Sequence, residues 1–411
     1  MIGLVFWLCV VSIVYTYAGY PLLLTCLARL RPRIPDYPPF TPTMTLLIAA
    51  YNEETIITEK LENSLALNYP RELLQILVAA DGSDDRTAEI VREYAARGVE
   101  LSYNPQRLGK MAAINQAMRL VRGEVIVFSD ANNFYGVDTV RDLVAPLSDP
   151  AVGAVTGVKS ILRGDGTLGE SEGMYWKYES FIRKQETRLG CCTGVAGEVL
   201  AIRHHLFQAP PDNIINDDSY LAWQIIRRGF RVVYVPQARS FERVSPMAQD
   251  EITRRSRIIA GRYQLIALAP HLLPFKQPIV VWQIFSHKIL RPLVPLAMAG
   301  AMLTNLVAVI APAKDGIGLL NLVPPINWIF LILQIIFYGM ALLGNQMEYR
   351  GKNKLPFYLY LPTFLVNSNL AALIGLYRFL TRRQTAIWQR VGRQKITPAR
   401  TTNDRQANSS G

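Results

Sequence analysis

The chain has 411 residues, half of them hydrophobic, and carries 44 Lys and Arg against 32 Asp and Glu, a formal net charge of +12. That length holds one large domain or two ordinary ones and is ample for a buried core. The four cysteines have neither disulfide-framework nor metal-site spacing, and much of the basic excess lies beside apolar segments and between Arg378 and Arg405. These features exclude a disulfide-stapled scaffold and point the charge at anionic lipid headgroups, not at nucleic acid.

Residues 2–28 contain no charge, which meets the length a bilayer-spanning helix needs. No basic segment precedes them, so residues 1–30 read as a retained transmembrane anchor and not as a cleaved signal peptide. Arg29, Arg31 and Arg33 follow the apolar run, which places the next domain in the cytoplasm. Residues 31–43 hold five prolines and read as a stiff linker. From 44 to 270 the chain is mixed and globular. TLLIAAY, LQILVAADGS, VELSYN and EVIVFSDAN read as strands, separated by helical patterns over Thr55–Leu67, Asp85–Arg97 and Lys110–Val121. This alternation predicts an α/β domain with a mostly parallel sheet, whose ligands sit at the carboxyl ends of the strands.

Residues 271–381 return to the membrane. The stretch 275–291 is apolar but includes Lys276, His287, Lys288 and Arg291, the pattern of an amphipathic interfacial helix. Residues 292–311 and 326–344 read as spans, and 356–377 as a weaker one interrupted by Pro362 and by Asn367-Ser368-Asn369. Three crossings would leave the Arg-rich tail outside, against the positive-inside rule, unless the Pro362 segment re-enters or one count is wrong. Residues 382–411 form a basic, partly disordered tail containing Trp388.

Four polar clusters fall at expected strand ends: AYNEE (50–54), ADGSDD (80–85), QRLGK (106–110) and SDANN (129–133). Each alone reads as a capped turn. Together they supply polar groups for a base, Arg107 and Lys110 around Gly109 for a diphosphate, and a carboxylate for a divalent metal. No Walker A loop is present and no GxGxxG turn follows the first strand, which argues against a P-loop enzyme or a dinucleotide dehydrogenase.

With TGVAGEV (193–199) and NDDSYL (216–221) added in order, the set resembles a membrane-anchored, inverting glycosyltransferase of family 2, similar to cellulose, hyaluronan and poly-N-acetylglucosamine synthases. The resemblance implies a GT-A (Rossmann-like) domain combined with transmembrane and interfacial α-helices. It assigns Ala50, Tyr51, Glu53 and Asp81 to the nucleoside and Lys110 to the diphosphate. Asp130 and Asn132 occupy the positions for Mg²⁺ or Mn²⁺, with Asn132 where a second acid is usual, so an aspartate restored there is expected to be tolerated. Asp218 takes the place of the general base with Asp217 beside it, and Gly194, Gly197 and Glu198 belong to the pocket for donor and acceptor sugars. The QxxRW motif of processive members is replaced by RRSRIIAGRY (254–263), in which Arg254 and Arg257 share a helix face; either this is a basic interfacial helix facing lipid headgroups, or Arg257 stands toward the diphosphate.

The resulting expectation is metal-assisted, inverting transfer of a sugar from a nucleotide donor, UDP-linked, to a growing polysaccharide or lipid-linked glycan. It places the protein in a bacterial inner (plasma) membrane with its catalytic domain cytoplasmic and no nucleic-acid partner, and leaves room for an oligomer or an accessory export subunit. One alternative is single-sugar transfer to a polyprenyl phosphate or glycolipid. Another is a non-catalytic transporter or signalling protein with a degenerate nucleotide-binding domain.

Overall fold

A computed structural model of the chain describes residues 1–30, 37–162, 167–243, 248–312, 321–350 and 355–384. The first half of the proline-rich linker, and the tail from 385 with Trp388, lie outside the described residues.

In chain order the elements are α1 (Ile2–Leu30), β1 (Met44–Ala50), α2 (Ile57–Leu65), β2 (Leu74–Asp81), α3 (Thr87–Glu93), β3 (Val99–Asn104), α4 (Lys110–Ala117) and β4 (Val125–Asp130). The second half continues with β5 (Asn133–Tyr135), α5 (Thr139–Val144), β6 (Val152–Leu162), α6 (Thr167–Leu189), β7 (Leu200–Arg203), α7 (Asp217–Arg227) and β8 (Arg231–Arg243). Four long helices close the chain: α8 (Ala248–Leu272), α9 (Pro278–Ile310), α10 (Ile326–Tyr349) and α11 (Phe357–Leu380).

The eight strands form one sheet in the order β3-β2-β1-β4-β7-β6-β8-β5. The β3, β2, β1 and β4 strands are parallel, and β6 pairs parallel with β8. The β7 strand runs antiparallel between β4 and β6, and β5 antiparallel on β8. The sheet is mixed and mostly parallel, as expected. Every residue of β1 and β2 is buried, which explains why both read as near-continuous apolar runs. Leu46 and Ile76 are fully buried, and replacing either by alanine costs about 2–5 kcal/mol.

Two apolar clusters cover the faces of the sheet. One gathers Leu46, Ile48, Ile76 and Val78 with Val91 of α3 and Leu143 of α5. The other runs from Leu47, Phe128 and Ile202 through Trp223 and Ile225 of α7 to Leu265 and Leu272 of α8, and on to Val280 and Ile284 of α9. The sheet and α9 therefore share one core.

Among the described residues four helices are long and apolar enough to cross a bilayer: α1, α9, α10 and α11. Where the sequence suggested an interfacial helix followed by a separate span, α9 is unbroken over 33 residues, with one π turn at Phe285–Ile289. The basic residues that suggested a headgroup-facing surface are turned onto α6 instead: His287, Lys288 and Arg291 all reach Glu179. Pro362 lies inside α11 without ending it. The polar groups that weakened this span on paper have partners, because Asn345 and Asn367 exchange hydrogen bonds between α10 and α11 (3.2 and 2.8 Å). Asn369 donates to Tyr17 Oη on α1 at 3.0 Å.

Candidate functional site

Register brings the polar clusters together. Ala49 of β1 lies beside Asp130 of β4, Ala50 beside Ala80, and Asp81 beside Asn104. The loops after β1, β2, β3 and β4 therefore leave the sheet at one edge. Gly82 takes a positive φ of 61°, and a Cβ there would lie 2.5 Å from the backbone nitrogen of Arg107. Only glycine permits that approach. The Asp81 carboxylate accepts hydrogen bonds from the backbone N–H groups of Leu108 (2.8 Å) and Gly109 (2.9 Å). It thereby fixes the loop that delivers Lys110 at the start of α4.

The Lys110 ammonium donates to Asp130 Oδ1 at 2.5 Å, with both side chains about one-fifth exposed (20% and 22%). Burial opposes the charge on Lys110, but Asp130, Asp217 and Glu198 outweigh it and raise its pKa. Burial likewise opposes ionisation of Asp130, yet Lys110, Lys159 and Lys60 hold its carboxyl below the usual range. The pair is charged on both sides.

These two side chains line a cleft with Leu108, Gly109, Asp217 and Arg257, closed on one side by Asp212, Ile214 and Ile215. Asp217 and Asp218 open α7, where the helix dipole favours acids. Burial first, and then Asp217 and Glu198, push the Asp218 carboxyl up to about 6. Gly197 explains how Asp218 comes to be enclosed, since a Cβ on Gly197 would lie 2.9 Å from Asp218 Cβ. Just before α7, Asn216 donates to the Ile258 carbonyl of α8 at 2.8 Å, which sets α8 and Arg257 against the cleft.

The other expected residues sit around this centre. Ala50 and Glu53 are buried, and the Arg107 guanidinium lies 3.9 Å from the centre of the Tyr51 ring. Asn132 does not line the cleft. Its Nδ2 donates to Glu242 Oε1 at 2.6 Å, and Glu242 also pairs with Lys159, which reaches Glu198 at 3.4 Å. Asn132, Glu198, Glu242 and Lys159 thus form a polar layer behind Asp130. Gly194 faces the membrane helix, where a Cβ would run into Lys288 Nζ. The side chain of Arg254 is outside the described residues.

Sequence reasoning missed Lys60, Lys159 and Glu242. Lys60 is fully buried on α2, donating to Ser129 Oγ at 2.8 Å and to the Asn133 carbonyl. Burial, opposed by Asp130, lowers its pKa to about 7. The signal was present: Ile57, Lys60, Leu61 and Ser64 occupy the inward-facing positions of an amphipathic helix, with a lysine where an apolar residue is usual.

Among the described residues no group of three or more His, Cys, Asp and Glu gathers to hold a metal. The donor set nevertheless fits a divalent cation carried on a diphosphate. Such an ion takes few protein oxygens and completes its shell with phosphate and water, and the Asp130 oxygen on the cleft wall already accepts one cation, the ammonium of Lys110.

Residues 45–206 match the family model described as glycosyl transferase family 2. Over 207 residues the chain is 28% identical to poly-beta-1,6-N-acetyl-D-glucosamine synthase of Staphylococcus aureus (strain COL), covering 47% of this chain and 48% of that protein. Over 267 residues it is 24% identical to the probable glycosyltransferase YdaM of Bacillus subtilis (strain 168), covering 59% and 61%. The chain thus spans about half the length of the first of these relatives. Among solved structures, mannosyltransferase PcManGT from Pyrobaculum calidifontis, in complex with GDP-Man and Mn²⁺, superposes with a TM-score of 0.69 at 22% identity, over 93% of this chain and 100% of that one. This is a likeness of fold. Residues 45–206 thus match a glycosyl transferase family 2 domain, within a mostly parallel sheet whose fold resembles that of GT-A glycosyltransferases and which is joined, among the described residues, to four helices long enough to cross a membrane.

Proposed function

We propose that the protein transfers a sugar with inversion from a nucleotide sugar, UDP-linked, to a growing polysaccharide or lipid-linked glycan at the cytoplasmic face of a bacterial inner membrane. The observation that carries the reading is Asp218, a carboxyl raised to about 6 beside the cleft where Lys110, Asp130, Asp217 and Arg257 meet. A carboxylate with that pKa is a stronger base than an ordinary one and is still ionised at neutral pH.

In this reading Asp218 takes the proton of an acceptor hydroxyl as its oxygen attacks the anomeric carbon. The bond from that carbon to the diphosphate oxygen breaks on the opposite face, and the nucleoside diphosphate leaves with the bonding pair. Lys110 and Arg257 face the departing charge, and their stabilisation of it is the main electrostatic task of the site. Mg²⁺ or Mn²⁺ held at Asp130 would neutralise part of the diphosphate charge when bound, with Asn132, the second expected ligand, bonded to Glu242 behind it. Ala50, Tyr51, Glu53 and Asp81 form the edge assigned to the nucleoside, and Gly197 and Glu198 the side assigned to the sugar. Gly194, which abuts Lys288, acts there only through the loop it belongs to.

Single transfer to a polyprenyl phosphate or glycolipid is favoured by one observation: no tryptophan occurs in 254–263, where processive relatives carry QxxRW. The test is release of nucleoside diphosphate by the purified full chain with Mn²⁺ across UDP- and GDP-linked sugars, followed by sizing of the products. Long products support the polymer reading, and one-sugar products support single transfer. No release with any donor, together with an Asp218→Asn variant that behaves as wild type in cells, would leave the non-catalytic reading.

A further inference from the structure

A second buried polar centre, away from the cleft, joins the catalytic domain to two membrane helices. Its hub is Glu186 of α6, fully buried. Glu186 accepts hydrogen bonds from Tyr20 Oη of α1 (2.6 Å), His287 Nδ1 of α9 (2.8 Å) and the backbone N–H of Thr193 (2.8 Å), and from Thr193 Oγ1 (3.0 Å). The other ring nitrogen of His287 lies 3.2 Å from Glu179 Oε2.

The helices are shaped for this contact. Each has a π turn at this level, Tyr15–Gly19 in α1 and Phe285–Ile289 in α9, and the two turns are bonded through Tyr15 Oη and Ser286 Oγ at 2.7 Å. The extra residue of a π turn rotates the remainder of the helix relative to a regular one. Here the turn contains His287 and Lys288, which reach inward to α6.

Thr193 begins the segment 193–198, which carries the glycine enclosing Asp218. The segment is held on its other side as well. The Trp223 indole of α7 donates to the Thr193 carbonyl at 3.4 Å, Arg183 to the Val195 carbonyl at 3.3 Å, and Ala196 N–H to Thr156 Oγ1 at 3.0 Å. We propose that Glu186, His287 and Tyr20 are positioning residues that set segment 193–198, and through Gly197 the base Asp218, so that the membrane helices form part of the active-site scaffold. The inference rests on the reading of Asp218 as the base.

A simple membrane rivet and a positioning device predict different results. The full chain in lipid nanodiscs serves as wild type, with Thr193→Val, Thr193→Ser, His287→Ala and Asp218→Asn beside it. Amide hydrogen exchange of 193–199 is read against β1–β4, and kcat and KM are read from UDP release with UDP-N-acetylglucosamine and Mn²⁺. Positioning predicts faster exchange confined to 193–199 in Thr193→Val and His287→Ala. It also predicts kcat lowered by about 10- to 100-fold, the cost of a misplaced reacting group, with little change in KM. Thr193→Ser, which keeps the hydroxyl, returns both to wild type. Because Thr193→Val leaves the buried charges in place, it carries the test even if His287→Ala does not fold, and the exchange measurement needs no donor. Wild-type exchange at 193–199, or a kcat equal to wild type, overturns the inference while leaving the base reading intact if Asp218→Asn is inactive. An active Asp218→Asn overturns both.

Discussion

Asp218→Asn tests the site through stability as well as rate. The folded protein pushes the Asp218 carboxyl up to about 6, chiefly by burial and then through Asp217 and Glu198, whereas an unperturbed aspartate titrates near about 3.9. A difference of about two units corresponds to about 3 kcal/mol of strain on the charged form, and partial contact with water reduces this to about 1–3 kcal/mol. The folded-state pKa lies above the unfolded one. The folded state therefore binds the proton more tightly, and the cost is absent below about pH 4 and complete above about pH 6. Asparagine keeps the shape and an acceptor for the Ser219 N–H bond (2.7 Å) while removing the charge. The variant should therefore melt higher than wild type at pH 8, by about 2–4 °C per kcal/mol for a domain of this size, and the gain should shrink as the pH falls to 5. The same variant should lose about 10²- to 10⁴-fold in turnover, the usual contribution of a general base. Thermal melts by tryptophan fluorescence in detergent at the two pH values, with a nucleotide-release assay alongside, read both effects. If the variant melts lower than wild type at pH 8, Asp218 is an ordinary first-turn acid held by the helix dipole and the reasoning fails. Retained turnover would also refute it.

Three further outcomes follow from the geometry. Asn132→Asp, which the resemblance alone would let pass, places a carboxylate at the 2.6 Å contact with Glu242; the variant should melt lower than wild type, and Glu242→Gln should restore it. Asp130→Ala should abolish divalent-cation-dependent turnover and lower the Lys110 pKa, because Asp130 is the foremost group raising it; a metal titration of nucleotide release reads the first effect. Lys60 has a folded-state value of about 7, below that of an unfolded lysine, so its burial cost is fully present below pH 7 and is relieved as the pH rises toward 10. Wild type should gain stability over that interval, and Lys60→Met should not, in urea titrations at pH 7 and 9.5.

The strand ends were legible because each motif is local. The continuous apolar runs of β1, β2 and β4 could only be buried parallel strands, and their terminal polar residues had to meet at one edge. What a motif contains is not the same as what it faces. Asn132 looks like a metal ligand within SDANN, and its actual partner, Glu242, lies 110 residues further on. Asp81 sits in the turn assigned to the nucleoside, yet its carboxylate holds the Leu108–Gly109 backbone. Likewise, basic residues on an apolar helix look the same whether they face headgroups or buried acids. His287, Lys288 and Arg291 have their partner Glu179 in a separate helix more than 100 residues earlier. Nothing in the polar composition of α6 marks it as the receiving surface.

The amide pair between α10 and α11 has a consequence for how the protein meets its bilayer. Asn345 and Asn367 each donate to the other, so any slide of one helix along the other breaks both bonds at once. A slip of one residue is about 1.5 Å, and interhelical bonds of this kind average about 0.6 kcal/mol each. Gly344, directly before Asn345, tightens the constraint, since a Cβ there would collide with Thr363 Oγ1. A thinner or thicker bilayer can therefore be matched by tilting the two helices as a single plank. Letting them shear past each other would instead break both bonds, at a cost of about 1.2 kcal/mol in all.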